Sequence, residues 1–365
     1  MPAQIINQGD SAPPYSVQAS PGFVAWLHES GGSLAITTYQ IGKLFLIGAP
    51  APDRLSVTER TFQRCLGVAT VGQSLYLAGL NNILRFENVV PNGQKLEGHD
   101  AVYAPRVAWF TGDLFSHDVG VLPEGRPIFV NTLFSCLATV DDMSSFRSVW
   151  HPRFISALRP EDRCHLNGLA MQGGRPRYVT AAGQTDTARG WREARTGHGC
   201  VIDVDSGEVV ATGLTMPHSP RLHDGRLYVC NAGTGEVGEI EIATGRFNPI
   251  AFCPGFARGL AFLGGHVLVG LSLPRQHRDF SGLPLDDRLK EAGREPQCMV
   301  QVIDPKRGEA AHWLALGGVV RELYDIASLP GVRTPMAVGF AQGQINRLIN
   351  RGPSISLDAL VGGRA

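Results

Sequence analysis

Of the 11 histidines in this 365-residue chain, His117, His165 and His218 stand out because each opens a segment of the same design. The segments read HDVGVLPEGRPIFVN, HLNGLAMQGGRPRYVT and HSPRLHDGRLYVCN. Three imidazoles gathered at one point make a facial ligand set for a divalent metal ion (Zn, Fe or Cu), with positions left for water or substrate. Neutral imidazoles donate lone pairs without cancelling the metal's charge, so the ion can polarise a carbonyl or acidify a bound water. Asp118, Glu322 and Asp325 are the candidate proton-handling carboxylates, able to orient an imidazole or act as a base. Arg221, Arg258 and Arg321 favour an anionic group, although ion pairs with Asp118, Glu322 or Asp325 account for them equally well. Asn167, Asn131 and Asn231 complete the polar candidates, the last two at positions where asparagine also forms turns. Two blander readings stand beside the metal site: a metal-free polar site, and histidines that merely bond a neighbouring loop.

Positioning such residues is the task of the surrounding elements. The stretch Pro217 to Val237 reads as strand, Asp224-Gly225 turn, strand, Gly-rich loop and third strand, and Asp-Gly between alternating apolar residues is a strong hairpin signal. Comparable units start at Leu66, His117, His165, His218, Arg258 and Arg321, and self-similarity at roughly 40–60 residues is the signature of propeller blades. The last unit supplies two inner strands, and the hairpin Gly32 to Pro50 supplies two strands with no inner pair. Joined, they make a sixth blade from both ends of the chain, which closes the ring and removes free edges. The fold class is therefore all-β, a six-bladed β-propeller over residues 21–345, with a lead-in at 1–20 and a tail at 346–365. In a propeller the start of each innermost strand and the loop joining strands two and three share one mouth of the channel. Long insertions of this kind, 183–198 and 271–297, project over the histidines and are functional lids or solvated loops. They offer Trp191, Arg192, Arg195 and His198 on one side and Arg275, His277 and Arg278 on the other as substrate contacts. Within the second, PLDDRLKEAG from Pro284 has room for a helical turn or two.

Composition narrows the partners. Formal net charge is zero and basic residues form no runs, so nucleic acid and anionic membranes are not expected. The opening MPAQIINQGDSAPPYS lacks the basic and apolar regions of a signal peptide, and no apolar run nears the roughly 20 residues of a membrane span. The seven cysteines follow no CxxC spacing and read as reduced core thiols of a cytoplasmic protein. A thiol nucleophile at Cys164 is the minor alternative.

HSPRLHDGRLYVCNAGTGEV, RGLAFLGGHVLVG and HLNGLAMQGGRPRYVT resemble the blades of NHL-repeat and gluconolactonase-type six-bladed propellers. Through FSHDVG, CHLNGLA and MPHSPR, nearly the whole chain also resembles an uncharacterised conserved bacterial family, which implies a propeller but no activity. Among propellers of similar architecture, peptide-amidating lyases hold a metal with channel histidines and lactonases hold one with carboxylates and amides. The likeness to the former is in ligand type only, and fold does not fix function. The expectation is a metal-dependent lyase, hydrolase or isomerase acting on a small or peptide-like anionic substrate, with an Fe or Cu oxidoreductase as alternative. A non-catalytic propeller binding a protein partner is the remaining reading; it calls for exposed apolar anchors in the long loops, where Trp191 and Phe280 qualify.

Overall fold

A computed structural model describes residues 14–274 and 281–352. The Asp224-Gly225 turn shows how the sequence builds its blades. Both residues take positive φ (49° and 76°), as a type I′ turn demands, and they join Pro217–His223 to Arg226–Asn231. Six antiparallel sheets of this kind form a six-bladed β-propeller. Blade 1 runs from Val68–Val71 outward to Ala101–Phe110, blade 2 from Ser116–Val121 to Arg147–Trp150, and blade 3 from Leu166–Gln172 to Val209–Leu214. Blade 4 runs from Pro217–His223 to Arg246–Phe252, and blade 5 from Phe256–Leu263 to Glu309–Gly318.

The closing blade joins both ends of the chain, but not as two strands from each. Its order is Ile326–Pro330, Gly32–Thr38, Lys43–Ala51, Arg54–Thr61, so the C-terminal side contributes only the innermost strand. Gly331, at φ 77°, turns the chain away after Pro330. The next strand, Pro335–Ala337, then pairs in parallel with Ala101–Phe110 at the rim of blade 1. Tyr15–Ala19, within the lead-in, pairs with Glu309–Gly318 and covers the outer edge of blade 5. Covering these edges removes templates for aggregation.

The core is divided between the blades. Of the seven hydrophobic clusters among the described residues, six each fill the interface between two neighbouring blades, for example Tyr76, Val119 and Phe129 between blades 1 and 2. Near the axis the innermost strands approach until only glycine fits. A Cβ on Gly67 would lie 2.8 Å from Asp118 Cα, and one on Gly259 (φ +74°) would lie 2.8 Å from Asp325 Cα.

Candidate active site

His117 and His218 share one register, and the third member of that register is Asn167. Ser116, Leu166 and Pro217 each pair with the end of their second strand, opposite Asn131, Ala181 and Asn231. His165 lies two residues earlier, where blades 2 and 4 carry Phe115 and Met216. All three of these earlier residues are left-handed, with φ of 50° at Phe115, 49° at His165 and 49° at Met216. In blades 2 and 4 that bend aims a carbonyl at the imidazole two residues on. His117 Nδ1 donates to Phe115 O at 2.8 Å and His218 Nδ1 to Met216 O at 2.7 Å, which leaves Nε2 as the lone-pair nitrogen of both rings. His165 Nδ1 instead meets the Asp162 carboxylate at 3.0 and 3.1 Å.

His117 and His165 meet edge to face at 4.9 Å, and both line a cavity of about 210 Å³ at the channel mouth. Trp191 forms one wall, stacked on His165 at 4.2 Å and donating Nε1–H to Asp162 at 2.9 Å. Tyr324 and Tyr39 form another, and Arg258 is buried over the rings of Phe256 and Tyr324. Burial, then the neighbouring His165, push the His117 pKa well below the usual 6.5, against the Phe115 carbonyl, so its ring is neutral. Thr132 Oγ1 also lies 2.8 Å from His117 Nδ1 and gives its own proton to Leu166 O at 2.6 Å. His218 stands outside this cavity, edge-on to Phe256 at 5.5 Å. Among the described residues, no three His, Cys, Asp or Glu side chains are grouped to hold a metal ion.

Asp118, Asp325 and Arg221 belong to a different layer. Arg221 reaches across the axis from blade 4 and pairs with Asp118 at 2.7 Å and Asp325 at 3.2 Å. Every carboxylate oxygen also accepts a backbone N–H: Val119 and Leu169 for Asp118, Ile326 and Val68 for Asp325, all at 2.9 Å. Burial alone would lower the Arg221 pKa, but Asp118 and Asp325 outweigh it and hold the guanidinium charged. Burial raises the Asp325 carboxyl to about 7, opposed by Arg221 and reinforced by Asp118. The ion-pair account of Arg221 is thus the one realised, and neither aspartate lines the mouth cavity.

The other candidates disperse. Arg321 is exposed and borders a separate groove with Gln297 and Cys298, while Glu322 is half-buried and does not line the cavity. Asn131 and Asn231 accept the N–H of Phe134 and Thr215, the turn-forming role. Asn167 is buried, and its Oδ1 accepts from Thr180 at 2.6 Å. Cys164 is buried, and burial pushes its thiol far above the ordinary range, which removes it as a nucleophile.

Of the long loops, 183–198 does reach the mouth, with Arg189, Trp191 and Arg192 lining the cavity. Trp191 is 3% exposed, so it anchors its own loop instead of offering a docking surface. In the second loop, Pro284–Glu291 is the expected helix, and Arg195 of the first loop bonds Ser281 O at 3.1 Å. Arg275, His277, Arg278 and Phe280 lie outside the described residues.

Asp162, Tyr324, Tyr39, Arg189, Phe115 and Thr132 are the site residues that the sequence reading missed. One signal was present: Tyr324-Asp325 repeats His117-Asp118, with both aspartates bonding the inner strand of the next blade.

The family described as "Domain of unknown function (DUF4915)" matches residues 21–338. No curated protein matches in sequence. Among solved structures, a chain of the nidogen/laminin complex is 11% identical, with a TM-score of 0.51 over 82% of this chain and 99% of its own. A protein of unknown function from Bacteroides caccae is 12% identical, with a TM-score of 0.49 over 82% and 98%. Virginiamycin B lyase from Staphylococcus aureus is 10% identical, with a TM-score of 0.37 over 83% and 99%. At 11% identity the likeness to the nidogen/laminin chain is one of fold. Among the described residues, no helix is long and apolar enough to cross a membrane.

Proposed function

The chain belongs to the DUF4915 family, a domain of unknown function, and on that premise we propose that the mouth cavity is an acid–base site for a small anionic molecule. The observation that carries this reading is the His165–Asp162 pair, 3.0 Å apart and backed by Trp191. A carboxylate on Nδ1 fixes the tautomer and leaves Nε2 as a proton acceptor, the geometry of an oriented general base. Arg258, Arg189 and Arg192 line the same cavity as Asp162 and Glu161. Those two carboxylates are already engaged, by His165 and Trp191 and by Arg163 respectively, so an incoming anion meets the cationic balance. At about 210 Å³ the cavity is smaller than the roughly 300–1,000 Å³ of drug-sized ligand sites, which favours a small substrate. Removal of a proton next to the bound anion, as in a lyase or isomerase, suits these residues; hydrolysis with His165 activating a water uses the same base.

A divalent ion on His117, His165 and His218 has one point in its favour: each ring has its Nδ1 engaged by a carbonyl or carboxylate, as metal-bound imidazoles do. Against it, the three do not come together as a ligand set among the described residues. The acid–base reading runs without a metal.

The test is titration of purified protein with acetate, malonate and benzoate, followed by histidine NMR and calorimetry. Saturable binding that shifts the His165 resonances, weakens at least tenfold in Arg258→Met and survives a strong chelator supports the reading. Stoichiometric Zn, Fe or Cu whose removal abolishes binding replaces it with the metal site, and failure of all three anions to bind ends it.

A further inference from the structure

The opposite end of the channel holds a larger space that the mouth site does not use. It is a chamber of about 700 Å³, bounded by the far halves of all six innermost strands. The ion triad separates the two compartments. His117 lines the mouth and Val119 the chamber, with Asp118 between them; Tyr324, Asp325 and Ile326 repeat the order. Most of the lining residues are apolar, Val71, Val121, Leu169, Met171, Leu260 and Phe262 among them; none is Asp or Glu, and Arg85, the other guanidinium on the lining, is paired with Glu87. Arg221 is the charged group at its inner end, and its side chain keeps 21% of its surface exposed. The bonds of Arg221 to Asp118, Asp325, Leu169 and Pro220 all leave from Nη1 and Nη2. Among the described residues, Nε–H is therefore the guanidinium donor that these bonds leave for a visitor.

We infer that this chamber is a second ligand site, for a small uncharged apolar molecule ending in one hydrogen-bond acceptor, such as a ketone, which takes the Arg221 Nε–H. The walls supply the affinity by releasing water from apolar surface, and the volume lies within the range of small-molecule sites. The charge of the head group follows from the triad. Two carboxylates more than neutralise one guanidinium, so a carboxylate head meets net negative charge. An ammonium head finds no carboxylate on the lining, and the triad's own oxygens already accept backbone N–H groups. A neutral carbonyl has neither cost and satisfies one directional donor.

Titration calorimetry and saturation-transfer NMR on the full chain at pH 8, with 2-octanone, octanoate and octylammonium, test this. The expected result is saturable binding of 2-octanone at least tenfold tighter than either charged probe, with about fourfold gained per methylene from 2-hexanone upward. Val71→Trp, at a half-exposed rim position, should weaken 2-octanone binding at least tenfold and leave carboxylate binding at the mouth unchanged. Ser328→Trp, on the adjoining inner strand of the closing blade, serves as a second obstruction if the first variant misfolds. Octanoate binding as tightly as the ketone, no probe binding, or ketone binding indifferent to both obstructions would each overturn the inference.

Discussion

Two layers are stacked along the channel axis one residue apart, and they handle buried polarity in opposite ways. At the mouth, His117 and His165 are rings held by one or two bonds each, walled by Trp191 and Tyr324 and open to a cavity. One residue deeper, the Arg221 guanidinium is bracketed by Asp118 and Asp325, whose carboxyl oxygens are all satisfied. The deeper layer ties blades 2, 4 and 6 to one guanidinium, and through backbone bonds it also engages blades 1 and 3. Stability is concentrated there, and adaptability at the mouth. A site that must accept a ligand keeps acceptors in reserve, whereas a tie across a ring uses them all.

Breaking each layer in turn is the sharpest test of that contrast. Asp118→Ala strands Arg221 beside a buried Asp325 and leaves the Leu169 N–H unpaired, and loss of one partner of a buried pair costs about 3–5 kcal/mol. His165→Ala loses a stacked ring and its bond to Asp162, with an expected cost of about 1–2 kcal/mol. Urea unfolding of the two variants measures the ratio, and equal losses would erase the distinction between the layers. Gly259→Ala belongs with the deeper layer. Its added Cβ meets Asp325 Cα at 2.8 Å from a left-handed backbone, so a loss of about 2 kcal/mol or more is expected in the same measurement.

Acid separates the layers by sign. Burial raises the Asp325 carboxyl from 3.8 to about 7, so between those values the folded protein holds a proton that the unfolded chain has lost. The stability linked to Asp325 is present below about pH 4 and is lost as pH rises through 7. His117 runs the other way. Its folded pKa lies well below 6.5, so its contribution is present above that pH and lost as acid protonates the unfolded chain first. In unfolding curves from pH 4.5 to 8, the deficit of Asp325→Asn relative to the parent should shrink toward pH 8. The deficit of His117→Gln should shrink toward pH 5. Parallel pH profiles for the two variants would show that these groups do not titrate as their burial demands.

How much of this was legible beforehand follows the same division. Repeated turn chemistry announces the blades, because Asp224-Gly225 and its counterparts act locally, and the closing blade follows from counting strands against a ring that must close. The division of that blade was not legible, since Arg54–Thr61 is half-buried along most of its length and lacks the contrast of a core strand. The histidines illustrate a different limit. A strand-opening His looks the same whether it stands before or after the left-handed bend, and the register shifts between Leu166 and Gly168 and between His218 and Arg221 hide the two-residue offset. Asp162 and Tyr324 entered the site from loops and from the last blade, where only spatial proximity marks them.

The smallest expected effect probes the join between the layers. Thr132 Oγ1 accepts a hydrogen bond from His117 Nδ1–H and donates its own O–H to Leu166 O, so it links the blade 2 imidazole to the inner strand of blade 3. Thr132→Val keeps the shape and removes the hydroxyl, leaving Leu166 O without that donor. His117 Nδ1 keeps the Phe115 carbonyl, so its tautomer is preserved. Both bonds of the hydroxyl are lost, but His117 Nδ1–H keeps its carbonyl acceptor, and the expected cost is about 1 kcal/mol. Because the tautomer survives, the His117 Nε2 resonance should stay that of an unprotonated nitrogen while its neighbours shift. A swap of tautomer in Thr132→Val would mean that the hydroxyl, and not the left-handed Phe115, sets the ring, and that the mouth is organised by blade 3 instead of by the bend that precedes each histidine.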